Sequence, residues 1–319
     1  MPKKQATNRE AQTASQHLPV LRPEVLKLLE PGKGQSYLDV TAGYGGHAAA
    51  ILKRTSNPQR AVLVDRDSQA VKVLKSLFGT KVRILQSDFW SASQELLSHS
   101  YQFDMIFADL GMSSLHLDTS SRGFAINQPG PLDMRMDQRQ ELSAETVVNK
   151  WSESELAAIL RQYGQEPKSR EIARRIVSAR PIVSTQQLAA TVAKAWPGRS
   201  RIHPATRTFQ AIRIAVNQEL VQLEESLPIW LKMLAPGGRM AIISFHSLED
   251  RLVKQFMAEQ ARTGYEAELR LLTKKPITAG PDEIASNPRA RSARLRAAVK
   301  INTKIERAKG KFHAYQGNG

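Results

Sequence analysis

The sequence predicts an α/β fold with a mostly parallel, Rossmann-like sheet and an inserted all-helical domain. Short apolar segments typical of strands alternate with segments of helical periodicity up to about residue 110. Such alternation implies a parallel sheet with helices on both faces. The alternation stops between residues 119 and 203, where only helical patterns occur, and a strand-like segment returns at residues 240–245.

The elements of the first half follow one another with short connections. Residues 1–17 are polar and are expected to be mobile, and a short amphipathic helix begins near Pro23. The alternating segments that come next are strand Tyr37–Val40, helix His47–Lys53, strand Ala61–Val64, helix Ser68–Phe78 with Ser68 as its cap, strand Val82–Leu85, helix Ala92–Leu97 and strand Phe103–Ala108.

The second half predicts the inserted domain and the return to the sheet. Capping boxes at Ser152–Glu155 and Ser184–Gln187 open helices, and Lys168–Ala179 is a basic helix. After the insertion we expect a long helix at Thr206–Ser226, a helix at Pro228–Leu234 and strand Met240–Phe245, then irregular backbone after Pro276. The predicted boundaries are a sheet domain at 18–118 and 204–300, an insertion at 119–203 and a basic tail at 301–319.

A glycine-rich loop after the first strand, Asp39-Val-Thr-Ala-Gly43-Tyr-Gly45-Gly46-His47, predicts a ligand site. Glycine tolerates positive φ and has no Cβ to hold a ligand away from the backbone. About 20 residues further on, the second strand ends in Asp65, where an acid can bind ribose hydroxyls. The arrangement predicts a cofactor that contains adenosine.

The charge of the loop bears on which cofactor binds. The pattern Gly43-x-Gly45-x-x-Ala48 also fits the dinucleotide fingerprint, so a nicotinamide cofactor stays open. However, a pyrophosphate is favoured by a helix N-terminus without a nearby anion, and Asp39 lies at the mouth of this loop. A carboxylate there favours the cationic S-adenosylmethionine, unless Asp39 only caps the turn.

Composition limits the class of protein and its partners. The 319 residues include no cysteine, which excludes disulfides and thiolate metal sites, and no apolar run is long enough to span a membrane. No set of histidines and carboxylates predicts a metal site. We therefore expect an intracellular, cytoplasmic protein without a metal.

The net charge of +16 favours a polyanionic partner. Basic residues cluster at Arg161–Arg180 and Arg289–Gly319, and Arg199, Arg201, Arg207 and Arg213 form a third group. Clustering of this kind is typical of contacts to phosphates, so nucleic acid is the expected partner.

A second candidate site residue, Asp109, ends the fourth predicted strand. The ligand-facing positions Gly43, Asp65, Asp88-Phe89 and Asp109 all follow strands, and parallel strands present their carboxyl ends to one crevice. A carboxylate that accepts a hydrogen bond from an aromatic amine draws the nitrogen lone pair out of conjugation and makes the amine a better nucleophile. Asp109 is therefore the candidate catalytic residue, with capping of the following turn as the alternative.

Six long motifs occur in order along the chain: Asp109-Leu-Gly-Met-Ser-Ser114, Arg122-Gly-Phe124, Gly130-Pro-Leu-Asp133-Met-Arg-Met136, His203-Pro-Ala-Thr-Arg207-Thr-Phe-Gln-Ala211, Ile243-Ser-Phe-His246-Ser-Leu-Glu-Asp250-Arg251 and Asn287-Pro-Arg-Ala-Arg-Ser292. With these motifs the chain, from about His17 to Arg296, resembles the bacterial methyltransferases that modify N4 of a cytidine in the decoding region of small-subunit ribosomal RNA. The resemblance implies a class I methyltransferase sheet, a helical insertion for substrate and S-adenosylmethionine as donor.

The resemblance also implies site residues. The cofactor contacts of the family fall on seven positions of this chain, namely Gly45, Gly46, His47, Asp65 at the ribose, Phe89 beside the adenine, Asp109 and His116. The family usually has glutamine where His116 stands and proline where Leu115 stands. Ser113 and Ser114 are expected to shape the loop around Asp109.

Contacts to RNA are predicted on a loop and on three arginines. Phe124 lies in a glycine-bearing loop and is the candidate for stacking on the cytosine. Arg122, Arg135 and Arg207 either bind RNA phosphates or anchor the insertion to the sheet through Asp133 and Glu219. The expected partner is small-subunit ribosomal RNA or the small ribosomal subunit, and a homodimer is left open.

Three other functions compete with this prediction. A nicotinamide-dependent oxidoreductase would use the same fold, and an RNA-binding assembly factor would use the sheet without catalysis. A DNA cytosine-N4 methylase would use the same chemistry on a deoxy substrate.

Overall fold

A computed structural model describes residues 19–111, 119–196, 198, 203–262 and 267–301. The chain divides into two compact units. We call Met1–Gly111 with Gln222–Gly319 the sheet unit, and Met112–Val221 the helical unit. The predicted insertion at 119–203 lies within the helical unit, whose ends extend further on both sides.

In the part of the sheet unit that the structure describes, the first helix is α1 (Arg22–Leu29) and the sheet has seven strands. In chain order its elements are β1 (Tyr37–Asp39), α2 (Gly46–Thr55), β2 (Ala61–Asp65), α3 (Ser68–Phe78), β3 (Arg83–Gln86), α4 (Phe89–Ser98) and β4 (Phe103–Asp109). The predicted strands and helices of this half are confirmed within a few residues. One detail was wrong: Asp67, not Ser68, caps α3, since its side chain accepts a hydrogen bond from the backbone N–H of Gln69.

Among the described residues after 119, the helical unit contains five α-helices. They are α5 (Ala144–Lys150), α6 (Glu153–Gln162), α7 (Ser169–Ser178), α8 (Thr185–Ala193) and α9 (Thr206–Asn217). Ser152 and Glu155 form the predicted capping box of α6. The other predicted box is only half formed. The Ser184 hydroxyl caps α8 by accepting the backbone N–H of Gln187, but the Gln187 side chain accepts the backbone N–H of Val183 and not that of Ser184.

The remaining elements complete the sheet unit. They are α10 (Glu219–Met233), β5 (Leu234–Ser244), α11 (Ser247–Gln260), β6 (Leu269–Leu271), α12 (Pro281–Ser286) and β7 (Arg294–Lys300). The single helix expected over Thr206–Ser226 is two helices, because Gln218 adopts a left-handed conformation, with φ of 53°, and ends α9. Pro228 lies inside α10 and does not start a new helix.

The sheet has the strand order β3-β2-β1-β4-β5-β7-β6. Strands β1 to β5 are parallel, whereas β7 runs antiparallel to β5 and β6 antiparallel to β7. The order of the parallel strands reverses at β1, which places a ligand crevice beyond the carboxyl ends of β1 and β4. This arrangement confirms the predicted class I methyltransferase fold.

The irregular backbone expected after Pro276 was wrong, since this segment contains α12 and β7. Five consecutive residues of β7 are buried, among them Arg296. The Arg296 guanidinium donates to both carboxylate oxygens of Asp250, with an Nε–Oδ1 distance of 2.7 Å. A buried charge is tolerated when it is paired in this way. Because Arg296 interrupts the apolar residues of β7, the sequence of this segment does not show the apolar pattern typical of a buried strand.

Successive residues of the central strands pack on opposite faces of the sheet. Leu38 and Ile106 lie in the core on one face, while Tyr37, Met105 and Phe107 lie in the core on the other. The helical unit has its own core, which α5 to α9 enclose. Among the described residues, no helix is long and apolar enough to cross a membrane.

Candidate active site

The loop between β1 and α2 has the backbone conformation that its glycines allow. Gly43 and Gly45 have positive φ values of 52° and 81°. A Cβ on Gly45 would lie 2.9 Å from the Phe78 ring, and one on Gly46 would lie 2.5 Å from Cγ of Pro19. A Cβ on Gly43 would meet nothing nearer than 3.9 Å. Packing within the protein therefore requires glycine at 45 and 46, and the open approach for a ligand is at Gly43.

Asp65 at the end of β2 is tied to this loop. Its Oδ2 accepts the backbone N–H of Gly43 at 2.8 Å, and its Oδ1 accepts that of Asp67 at 2.8 Å. Each carboxylate oxygen has a second lone pair, so these bonds leave acceptor capacity for hydroxyl groups. The carboxylate is thus fixed where the sequence predicts a ribose contact.

Asp39 at the end of β1 is almost fully buried, with 1% of its surface exposed. The Tyr37 hydroxyl donates to Oδ2 at 2.7 Å, and the backbone N–H of Thr41 donates to Oδ1 at 3.2 Å. Burial raises the pKa of Asp39 to about 7, although these hydrogen bonds lower it, and the charge of Asp65 raises it further. Asp39 therefore bonds to its own loop, as the alternative interpretation held. Among the described residues, however, no cationic side chain forms an ion pair with it.

Asp109 at the end of β4 lies beside the loop. Its backbone N–H donates to Thr41 Oγ1 at 2.6 Å, and its Oδ2 lies 3.9 Å from Nε2 of His47. Its other oxygen, Oδ1, is buried and has no hydrogen-bond partner among the residues that the structure describes. A buried acceptor without a partner is costly, so this oxygen is suited to receive a donor from a ligand.

The electrostatics around Asp109 favour a positive charge. Burial raises the pKa of Asp109 to about 8, and the charges of Asp39 and Glu249 raise it further. His47 does not supply a cation, because burial and then the charge of Arg22 lower the pKa of His47 to about 3. Two carboxyls that resist ionisation beside a neutral histidine form a site that a bound cation would stabilise. A sulfonium fits this site, and a diphosphate does not.

Phe89 follows β3 and opens α4. Its ring packs edge-on against Trp230, with ring centroids 5.8 Å apart, and the Arg66 guanidinium lies 6.0 Å from its centre. Asp88 caps the helix and accepts from both the backbone N–H and the hydroxyl of Ser91. These contacts fix an aromatic ring at the strand end where the resemblance implies an adenine contact.

Glu249 is a site residue that the sequence analysis missed. Its side chain is nearly fully buried, and Oε2 accepts the backbone N–H groups of Phe245 and His246 at the start of α11. His246 caps the same helix. The capping spacing from 246 to 249 was present in the sequence, but only the structure shows that the buried charge acts on Asp109.

Two of the predicted RNA contacts are structural residues of the helical unit. Arg122 is 5% exposed and donates to the backbone carbonyls of Arg135 and Met136 at 3.0 Å. Arg135 forms a bidentate pair with Asp133 and also donates to two backbone carbonyls. These contacts all lie within the helical unit, so they do not form the predicted anchor between the insertion and the sheet, and the predicted partner Glu219 is bonded to Arg213.

The two other predicted RNA contacts differ in exposure. Phe124 is 4% exposed and lies in the core of the helical unit, so neither face of its ring is free to stack on a base. The structure contradicts that role; a glycine-bearing loop was a poor indicator of exposure. Arg207 is exposed and makes one long hydrogen bond, 3.3 Å, to the Gln165 carbonyl, so it stays a candidate. His116, Ser113 and Ser114 lie outside the described residues.

Comparisons with known proteins show which family the chain is similar to. The model of the MraW methylase family matches residues 14–301. A protein of a Nostoc species named ribosomal RNA small subunit methyltransferase H is 50% identical over 290 residues, which cover 89% of this chain and 92% of that protein. Proteins of the same name from a Cyanothece species and from Acidobacterium capsulatum are 49% and 44% identical, covering 90% and 89% of this chain and 95% and 98% of their own lengths.

Proposed function

The chain belongs to the MraW methylase family, and we propose that it transfers a methyl group from S-adenosylmethionine to the exocyclic N4 amine of a cytidine in the decoding region of small-subunit ribosomal RNA. Its relatives carry the name of a small-subunit ribosomal RNA methyltransferase. The observation that carries the choice of an amine is the Asp109 carboxyl at the end of β4, whose Oδ1 is buried and has no donor among the described residues.

The cofactor is assigned to the crevice beside the glycine loop. When bound, S-adenosylmethionine supplies an electrophilic methyl carbon on a cationic sulfur. Asp65 would hold the ribose hydroxyls, Phe89 would contact the adenine, and the loop around Gly43 would admit the cofactor close to the backbone. Gly45, Gly46 and His47 shape the turn, while Asp39 supplies the negative charge that favours a cation.

Asp109 acts on the substrate amine. Its Oδ1 accepts a hydrogen bond from N4–H, which localises the nitrogen lone pair and stabilises the positive charge that develops on nitrogen. The positive charge of the bound cofactor would keep Asp109 ionised, and its carboxylate could then take up the amine proton that becomes acidic as the methyl group is transferred. Thr41, whose hydroxyl accepts the Asp109 backbone N–H, positions this residue.

The competing functions fit these observations less well. A nicotinamide dinucleotide would bring a diphosphate beside Asp39, Asp109 and Glu249, a like-charge arrangement that is destabilising. An assembly factor without catalysis would have no need for a buried, unpaired acceptor at a strand end. A DNA methylase would share the site, but the relatives are named for ribosomal RNA.

The proposal extends to the setting of the reaction. The substrate is small-subunit ribosomal RNA, either free or in the small ribosomal subunit, and the enzyme works in the cytoplasm. The helical unit recognises the RNA, and the basic residues of 301–319 add phosphate contacts.

Nucleoside analysis tests the proposed reaction. Purified protein is incubated with labelled S-adenosylmethionine and small ribosomal subunits, and the digested RNA is separated by mass spectrometry. We expect the label in N4-methylcytidine at one position, with a DNA of the same sequence as the unmodified control. Label in 5-methylcytidine, in a ribose methyl group or in any uridine would contradict the proposal.

A further inference from the structure

Two adjoining cavities lie between α6 and α7 of the helical unit. The first, of about 860 Å³, is bounded by Arg161 and residues 165–171. The second, of about 680 Å³, is bounded by residues 152–154 at the start of α6 and by Ala157 and Ala158. Arg161, Ser169 and Arg170 line both. We call the two cavities together the α6–α7 groove, and each has the size of a small-molecule site.

The shared wall of the groove is positively charged. Arg161 and Arg170 are exposed, and neither has a carboxylate within ion-pair distance in the part of the chain that the structure describes. Two of the acids in the lining are paired with other arginines: Glu171 pairs with Arg175 at 2.9 Å, and Glu153 lies 3.8 Å from Arg174, while the third, Glu166, is buried. Two arginines are thus left to bind an anion, and guanidinium groups suit phosphate oxygens.

The backbone at the same wall does not supply the positive charge. Ser169 and Arg170 are the first residues of α7, and Glu166 accepts the backbone N–H groups of Lys168 and Ser169 at its start. The Lys168 ammonium is not free, because it lies 4.6 Å from the Trp196 ring centre and donates to the Ala195 carbonyl at 2.6 Å. The two arginines therefore carry the preference for an anion between the two cavities.

The first cavity offers a different chemistry. Glu166 lines it and is only 2% exposed. Its Oε1 accepts the backbone N–H of Lys168, while its Oε2 has no hydrogen-bond partner among the described residues. A buried acceptor of this kind is completed by a donor such as a nucleobase amine or a ribose hydroxyl.

We propose that the α6–α7 groove binds two consecutive nucleotides of single-stranded RNA, outside the methylated cytidine. The connecting phosphodiester lies against Arg161 and Arg170, one nucleoside occupies the first cavity with a donor directed to Glu166, and the next occupies the second cavity. This inference rests on the proposed function for its choice of RNA. A single strand fits because its nucleosides can enter separate cavities, whereas those of a duplex stay stacked.

The salt dependence of RNA binding tests the groove. The double variant Arg161→Ala/Arg170→Ala is compared with Lys150→Ala, which removes an exposed basic residue of α5 that lines neither cavity. Binding of a short single-stranded RNA is followed by fluorescence anisotropy between about 50 and 200 mM salt. The double variant should bind about tenfold more weakly, and its plot of log K against log salt should be shallower by about 0.7 for one lost phosphate contact.

Kinetics separate this inference from the proposed function. The double variant should raise KM for RNA and leave kcat and the affinity for S-adenosylmethionine unchanged. Equal salt slopes in the double variant and Lys150→Ala, or an equal loss of affinity for a duplex of the same sequence, would overturn the groove assignment. Failure of the proposed function would instead appear as absent methylation by the unaltered protein.

Discussion

Replacing Asp109 with asparagine lowers kcat for methyl transfer by about 10²–10³-fold, which is the cost of removing one preorganised electrostatic contact in an active site. The amide keeps the size of the carboxyl but cannot take up a proton, and its oxygen is a weaker acceptor for the N4–H of cytidine. The effect should appear in kcat, because RNA is held mainly by distant contacts. Single-turnover transfer of labelled methyl groups with both substrates saturating measures it.

Asp137→Asn is the matched control for this prediction. Asp137 is a carboxylate of the helical unit that pairs with Arg139 at 2.7 Å, and its replacement should leave kcat within about twofold. If Asp109→Asn kept the full rate with saturating substrates, the assignment of Asp109 to the amine would be wrong. If it lost RNA affinity in proportion to rate, Asp109 would be a binding residue only.

Replacing Asp39 with asparagine weakens the binding of S-adenosylmethionine about tenfold to a hundredfold, since a charge several ångströms away in a protein interior contributes a few kcal/mol. The product S-adenosylhomocysteine, which lacks the sulfonium charge but keeps the zwitterionic amino-acid group, should lose much less affinity in the variant. The affinity for S-adenosylmethionine should also depend on pH, in a direction that the pKa of Asp39 sets. With a pKa of about 7, Asp39 of the free protein is protonated at lower pH. A cation binds the ionised form, so affinity rises with pH up to this pKa, and this rise should be smaller in Asp39→Asn.

Tyr37→Phe separates the charge of Asp39 from its position. The Tyr37 hydroxyl donates to Asp39 Oδ2, and this bond lowers the pKa of Asp39. Its loss should shift the rise in affinity to higher pH, while binding at pH well above that range is kept. Equal weakening of both ligands in Asp39→Asn would mean that the substitution damages the loop and that the charge is not recognised.

Much of the sheet and of the cofactor site could be predicted from the sequence, because both depend on local patterns. The strands before residue 110 are short and apolar, and each is followed by a helical segment, so strand ends could be aligned without a structure. The glycine loop, Asp65 and Asp109 follow from those ends. The sequence could not show which glycine of the loop faces the ligand. Gly45 and Gly46 pack against Phe78 and Pro19, whereas Gly43 does not, and only the structure shows these contacts.

The residues that were missed depend on contacts between distant parts of the chain. Strand β7 contains Arg296, which is buried only because Asp250, 46 positions earlier, pairs with it. Phe124 and Arg122 lie in a glycine-bearing loop in the sequence, where exposure is expected, but both are buried in the helical unit. The charge of Glu249, which comes much later in the chain, raises the pKa of Asp109. No periodicity within one segment carries such information.

Counting the protons released when the methyl donor binds is the most direct test of a crevice built for a cationic ligand. Calorimetric titrations at pH 7, in buffers with different heats of ionisation, give that number. With Asp39 and Asp109 at pKa values of about 7 and 8 in the free protein, S-adenosylmethionine should expel about one proton and S-adenosylhomocysteine almost none. The same proton count for both ligands would contradict the recognition of positive charge at this site.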